Sequence, residues 1–358
     1  MRATNTLLAL ATALLLACSE STEAHAGMNF SRKSLISDVM SDPAFDGYGR
    51  LIFPVQRGYW SGNTLEQLRF TYYSGIDPDM TVSIVNYMKS RVTEGSTIFF
   101  DIYSEDEKRA DADKRDTGLF FFKGRPGAPF AVCNAGGAFA YVGAMHDSFP
   151  HALELSGKGY NAFALIYRPG NAYEDLARAI EFIHDHADQL EVSADKYSLW
   201  GGSAGARMAA TLGNAYYLKQ LTGRSDIPQA SAVVMQYTGY SETSPYDAAT
   251  YACVGTGDGI APWRTMQNRL EHLAALGIPT EFHAYAGLPH GFGLGTGTVA
   301  EGWTDDAVRF WEHQMGNTPV KQAKASKHTS QDIYSIEGIK YERPQKGMNI
   351  INSKKVIL

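Results

Sequence analysis

One stretch constrains the fold of this chain more than any other: Leu199-Trp200-Gly201-Gly202-Ser203-Ala204-Gly205-Ala206, where a strand-like run ends in Gly-x-Ser-x-Gly and a helical pattern begins. A serine oxygen is held clear of the backbone by a sharp strand-to-helix turn. That turn closes only where the residues two before and two after lack side chains. Gly201 and Gly205 meet the requirement, which makes Ser203 the candidate nucleophile. In a chain with 35 glycines the bare pattern has little weight, so the flanking elements must carry the reading. Asp195 to Trp200 reads as a short buried strand. Ala204 to Leu218 reads as one helix with apolar residues at three- and four-residue spacing.

The same alternation runs through most of the chain. Strands are expected at Thr97 to Tyr103, Gly118 to Phe122, Pro129 to Asn134 and Asn161 to Tyr167 before the serine, and at Ala230 to Gln236, Ala249 to Val254 and Pro279 to Tyr285 after it. Helical patterns occupy Asp79 to Val92, Asp147 to Gly157, Tyr173 to Leu190, Trp263 to Leu276 and Asp305 to Gln314, and the charged run Asp106 to Asp116 reads as a solvated connection. Alternating strand and helix implies an α/β fold with a mostly parallel sheet covered on both faces, whose reactive groups belong at the C-terminal ends of the strands.

Three residues fall at such ends in the order nucleophile, acid, base: Ser203, Asp258 and His290. His290 sits in a Gly-rich loop after a strand, whereas His283 lies inside a strand and His146, His151, His272 and His313 lie on helical patterns. Asp226 and Asp247 also lie between serine and histidine, but neither directly follows a clear strand. In this scheme His290 takes the Ser203 proton while Asp258 orients the imidazole and stabilises its charged form. A tetrahedral oxyanion must be met by backbone N–H groups. Gly137 and Ala138, in the Gly-Gly loop after the Pro129 strand and about 65 residues before the serine, are the candidates together with Ala204.

No cofactor or metal is expected. Gly291 to Gly297 lacks the spacing of a dinucleotide loop, since Thr298 stands where the third glycine belongs, and H-E-x-x-H or paired C-x-x-C spacings are absent. His184 and His186, two apart on a helix, point to different faces and read as surface residues. The net charge of −6 without a basic stripe argues against nucleic acid as a partner.

Both ends carry export-like features. Residues 1–18 read as an export signal: Arg2, an eleven-residue run from Leu7 to Ala17 that is apolar but for Thr12 and too short to span a bilayer, and then Cys18. Leu15-Leu16-Ala17-Cys18 resembles a bacterial lipobox, which makes a lipid anchor at Cys18 the expected membrane contact and the cell surface or outer membrane the expected location. Cleavage after Ala24-His25-Ala26 is the competing reading and would release a soluble secreted protein. Residues 19–46 read as a tether and loosely attached lead-in, 47–316 as the catalytic domain, 317–332 as a linker and 333–358 as a small three-stranded meander resembling the sorting tails of secreted bacterial proteins. Cys133 and Cys253 fall on strands about three spacings, roughly 14 Å, apart, beyond disulfide reach, and are expected to be buried free thiols.

From Thr97 to Gln314 the chain resembles the α/β-hydrolase esterases, and among them the bifunctional feruloyl and acetyl xylan esterases of gut and rumen bacteria. The resemblance rests on Gly118 to Phe122, Pro129 to Tyr141, Gly157 to Phe163, Gly201 to Met208 and His290 to Trp303. It implies an α/β-hydrolase fold, Ser203, Asp258 and His290 as the triad, and esterified plant polysaccharide or oligosaccharide as the partner. One departure is Ala135, which stands where members usually carry histidine or proline before the two glycines. Phe139, Tyr141, Tyr237, Tyr240, Trp263 and Phe292 are the aromatics expected near the site. Two further readings stay open: a peptidase of the same fold, and a non-catalytic carbohydrate-binding or adhesion protein on an esterase scaffold.

Overall fold

The computed structural model describes residues 29–73, 75–316 and, beyond them, the backbone of four short strands. Those residues fall into two units that part after Gly316. The export-signal and lipobox readings, and the linker, lie outside the described residues.

In the larger unit, eight strands form one sheet: β1 (Phe99–Phe100), β2 (Gly118–Phe122), β3 (Pro129–Asn134), β4 (Asn161–Ile166), β5 (Ser193–Gly202), β6 (Ala232–Gln236), β7 (Thr250–Gly255) and β8 (Thr280–Tyr285). Their order is β8-β7-β6-β5-β3-β4-β2-β1. β1 and β2 run antiparallel to their neighbours and the remaining pairs are parallel. Every residue of β2, β4, β6 and β7 is buried, as expected of strands covered on both faces. β8, at the edge, is half-exposed. The strand expected over residues 97–103 is reduced to two paired residues.

The longer helices are α1 (Pro78–Thr93), α2 (Phe149–Gly157), α3 (Ala172–Asp185), α4 (Ala204–Leu212), α5 (Ala215–Thr222), α6 (Trp263–Ala275) and α7 (Trp303–Gln314). Alternation along β5 assigns its two faces. Trp200 packs its ring 5.9 Å from Trp303 at the start of α7, whereas a Cβ on its neighbour Gly201 would meet the backbone of α4 on the other side. The single helix expected from Ala204 to Leu218 is two. Gly213 lies against Val233, and Asn214 caps the second helix through the amides of Tyr216 and Tyr217.

Three expectations are corrected. The lead-in is not loosely attached: Ile36, Val39 and Phe45 are buried, and Phe30 stacks 6.4 Å from Phe45. Its apolar residues sit in a five-residue α-helix, Ile36–Met40, and in short 3₁₀ turns, which have no long period to reveal them. His184 is half-buried rather than a surface residue, with its ring edge-on to Phe130 and Tyr197. The C-terminal unit holds four antiparallel strands, Ile333–Ser335, Lys340–Tyr341, Met348–Ile351 and Lys354–Ile357, rather than three. Cys133 on β3 and Cys253 on β7 are buried free thiols, three strand positions apart. No described helix is long and apolar enough to cross a membrane.

Candidate active site

Ser203 stands between β5 and α4 with φ 53° and ψ −115°, a conformation a side chain rarely adopts without compensation from its surroundings. The glycines around it are sterically required. A Cβ at Gly201 would lie 2.2 Å from the Gly205 carbonyl carbon, and one at Gly205 would lie 1.9 Å from the Asn134 carbonyl oxygen. The Ser203 N–H donates to the Gln236 carbonyl at 2.9 Å, which pins the turn to the end of β6.

The structure brings the three residues of the expected triad together. Ser203 Oγ is 3.0 Å from His290 Nε2, and His290 Nδ1 is 2.8 Å from Asp258 Oδ2. The second carboxylate oxygen, Asp258 Oδ1, accepts the amides of Ile260 and Ala261, each at 2.8 Å. An acceptor-only carboxylate assigns the proton to Nδ1 of the neutral ring and leaves Nε2 free to receive the serine proton. The acid and base loops lie backbone against backbone: Gly257 N–H donates to the Leu288 carbonyl, and a Cβ on Gly255 would come within 2.0 Å of that same oxygen. The glycines before Asp258 therefore let the acid approach the histidine loop.

The amide directions of the Gly-Gly loop follow from its carbonyls. Among the described residues all peptide bonds are trans, so each N–H points opposite to the C=O of its own peptide plane. The Gly136 carbonyl accepts Gly143 N–H, and the Gly137 carbonyl accepts the amides of Ala140 and Tyr141. The N–H groups of Gly137 and Ala138 are thereby turned away from those partners. Neither they nor the Ala204 N–H has an acceptor among the described residues. Ala138 and Phe139 both take φ 55°. Ala138 and Ala204 line the same cleft as Ser203, whereas Gly137 lies behind it against the Tyr141 carbonyl.

That cleft has a volume of about 330 Å³. Phe139, Tyr237 and Tyr240 line it. Tyr141 is buried beneath the loop, Phe292 packs edge-on against Tyr237, and Trp263 opens α6 away from the lining. Arg207 and Glu242 form a charged part of the rim that the sequence pattern did not single out. Arg207 follows Ser203 by one helical turn, so its position relative to the serine was available from i, i+4 spacing.

The other residue missed is Asp147, 2% exposed behind the serine turn. The sequence pattern placed it at the start of a helix. In the structure it ends a short turn, Ala144–Asp147, because Pro150 suits the first turn of the next helix and α2 begins at Phe149. Burial, reinforced by Asp147, raises the hydroxyl pKa values of Tyr73 and Tyr237 well above the ordinary tyrosine range. Burial lowers that of His146, whose Nε2 is 2.8 Å from the carbonyl of Gly291, next to the catalytic-base candidate. Among the described residues no group of three His, Cys, Asp or Glu side chains is placed to hold a metal ion.

Residues 125–243 match the BD-FAE family model, a span that contains the Gly-Gly loop and Ser203. No curated protein matches the sequence. Among solved structures, an esterase of the planctomycete Thermogutta terrifontis with propionate bound is 21% identical with a TM-score of 0.51, covering 58% of this chain and 93% of its own. An acetyl ester-xyloside bifunctional hydrolase from Caldicellulosiruptor lactoaceticus is 18% identical with a TM-score of 0.52, covering 61% of this chain and 96% of its own. With the strand order and the serine turn, these likenesses establish that the chain has the α/β-hydrolase fold.

Proposed function

We propose that this protein is a serine carboxylesterase that removes acetyl or feruloyl groups from xylan-type polysaccharide. The observation that carries the reading is the Ser203–His290–Asp258 hydrogen-bond relay on an open cleft beside unpaired amides. His290 Nε2 takes the Ser203 proton as Oγ bonds to the ester carbonyl carbon. The resulting oxyanion is met by the free N–H groups of Ala138 and Ala204, with Gly137 N–H, the third candidate, set behind them. Collapse breaks the bond to the sugar oxygen, which leaves with the proton from His290. Water then attacks the acyl-serine, giving its proton to His290, and the second collapse releases the acid and returns the proton to Ser203.

The substrate class rests on the BD-FAE match, on the resemblance of the sequence blocks and on the acetyl ester-xyloside hydrolase among the fold relatives. The cleft is small and open enough to take an acyl group while the sugar chain stays outside. Export with lipid attachment at Cys18 is part of the same proposal and fits a substrate too large to enter a cell; radiolabelled palmitate incorporation that Cys18→Ser abolishes would support it. Acid release from acetylated, feruloylated arabinoxylan, separated by chromatography with Ser203→Ala as the blank, tests the activity. Acetate or ferulate from the wild type alone is expected. Cleavage of a small aryl acetate with neither acid from xylan would overturn the substrate and keep the chemistry. Cleavage of peptide substrates alone would make the protein a peptidase.

A further inference from the structure

The carboxylate of Asp147 occupies the space behind the reacting serine, and the backbone has been thinned to admit it. A Cβ on Gly202 would lie 2.4 Å from both Asp147 oxygens, and a Cβ on Gly136 would lie 2.7 Å from Oδ2 and 2.9 Å from the Ser203 Cβ. Gly202 is not among the glycines that the sharp serine turn itself demands. Its absent side chain is accounted for by the carboxylate.

Asp147 is buried and has no cationic partner among the described residues. Its oxygens are satisfied by donors from three separate segments: Gly136 N–H to Oδ2 at 2.7 Å, the Tyr73 hydroxyl to Oδ2 at 2.8 Å, and the Tyr237 hydroxyl to Oδ1. A buried carboxylate held only by neutral donors is costly unless each of them is well placed. It can only accept, so it fixes all three donors in direction.

Each donor belongs to a segment that the chemistry needs. Gly136 precedes the candidate oxyanion amides, and its carbonyl is held by Gly143 N–H. With its N–H held by Asp147 as well, neither peptide plane flanking Gly136 is free to rotate. The Tyr237 ring lies edge-on 5.1 Å from His290. The Tyr73 ring packs where a Cβ on Gly291 would be, at 2.4 Å, and covers His146.

We infer that Asp147 is a positioning residue for the oxyanion loop, tying that loop to the serine turn, the base loop and the segment before α1 that supplies Tyr73. This rests on the serine-hydrolase reading above. Asp147 touches no reacting atom; it acts through the Gly136 amide on the N–H groups that follow.

The test is the rate at which a fluorophosphonate probe labels Ser203, located by peptide mass spectrometry and followed from pH 5 to 9. The probe forms the Oγ–P bond, expels fluoride and loads the same oxyanion donors without needing the natural substrate. Asp147→Ala is expected to label on the order of 10²-fold more slowly, the size of losing one oxyanion donor. Asp147→Asn, which retains an acceptor for Gly136 N–H, should recover to within about tenfold of wild type. Tyr237→Phe, which leaves the carboxylate in place, serves as the second variant if Asp147→Ala does not fold and should slow labelling about threefold to tenfold. Labelling of Asp147→Ala within threefold of the wild-type rate would overturn the inference, as would a slower Asp147→Ala rate that Asp147→Asn does not recover. With Asp147→Ala unfolded, wild-type rates in both Asp147→Asn and Tyr237→Phe would overturn it as well. Wild-type protein that does not label at Ser203 would instead remove the serine-hydrolase reading, and the inference with it.

Discussion

The space in front of Ser203 and the space behind it are built in opposite ways. In front lies an open cleft whose rim includes the exposed Arg207 and Glu242. Behind lies a dry wall in which Asp147, Tyr73 and Tyr237 satisfy one another with little contact with solvent. The front presents the reacting atoms and amides. The back fixes where they point, and it does so with residues from segments more than 70 positions apart in the chain. The contrast assigns rate to groups on both sides of the serine, and it assigns tolerance of substitution to the rim alone.

Four changes would break or sharpen that contrast. Ser203→Ala should lower kcat for a small aryl ester on the order of 10⁵–10⁶-fold with little change in stability, read by steady-state kinetics alongside a urea melt. Gly202→Ala, one position earlier and facing the back, should destabilise by about 2–3 kcal/mol through overlap with the Asp147 carboxylate, seen as a lower urea midpoint at unchanged slope. If it melts like the wild type, the wall behind the serine is looser than described.

His151 belongs to the same buried side, packed 5.6 Å from the Trp303 ring, and burial, partly opposed by Asp147, lowers its pKa to about 4. The unfolded chain therefore binds a proton that the folded chain refuses. The stability from keeping this ring neutral is complete above the unfolded value, near 6.5, and is lost as pH falls from there toward 4, by roughly 3 kcal/mol in all. His151→Leu should flatten that slope in urea melts taken across the window, and the residual slope would include His146 and His184, which burial shifts in the same direction. Smallest of all, Arg207→Gln on the front rim should leave stability within about 0.5 kcal/mol and alter KM for a neutral ester by less than about fivefold. A larger loss in kcat would move Arg207 from the rim into the machinery.

The same division decides what could be read from the sequence. Ser203 announces itself because its strand, glycines and helix are consecutive, and Asp258 and His290 follow because each ends a strand with a loop of its own. The parallel sheet was legible for the same reason, its central strands being continuous apolar runs. Asp147 gave no signal. A single carboxylate after His146 in a helical pattern looks like a solvated residue, and its importance lies in partners at positions 73, 136 and 237. The lead-in was obscured by its short helix and 3₁₀ turns, and the break of the serine helix at Asn214 by a cap with no periodicity of its own. Tyr73 adds a third, since the unperiodic segment before α1 delivers its hydroxyl to the unannounced aspartate.

The central claim is that Ser203 carries the acyl group. Acid quenching of the wild type during turnover of an aryl acetate, followed by peptide mass spectrometry, tests it most directly. An acetyl group is expected on the peptide containing Ser203, appearing within the first turnover and decaying as substrate is exhausted. Turnover with no acetyl on Ser203, or with the acetyl on another side chain whose replacement stops the reaction, would contradict it.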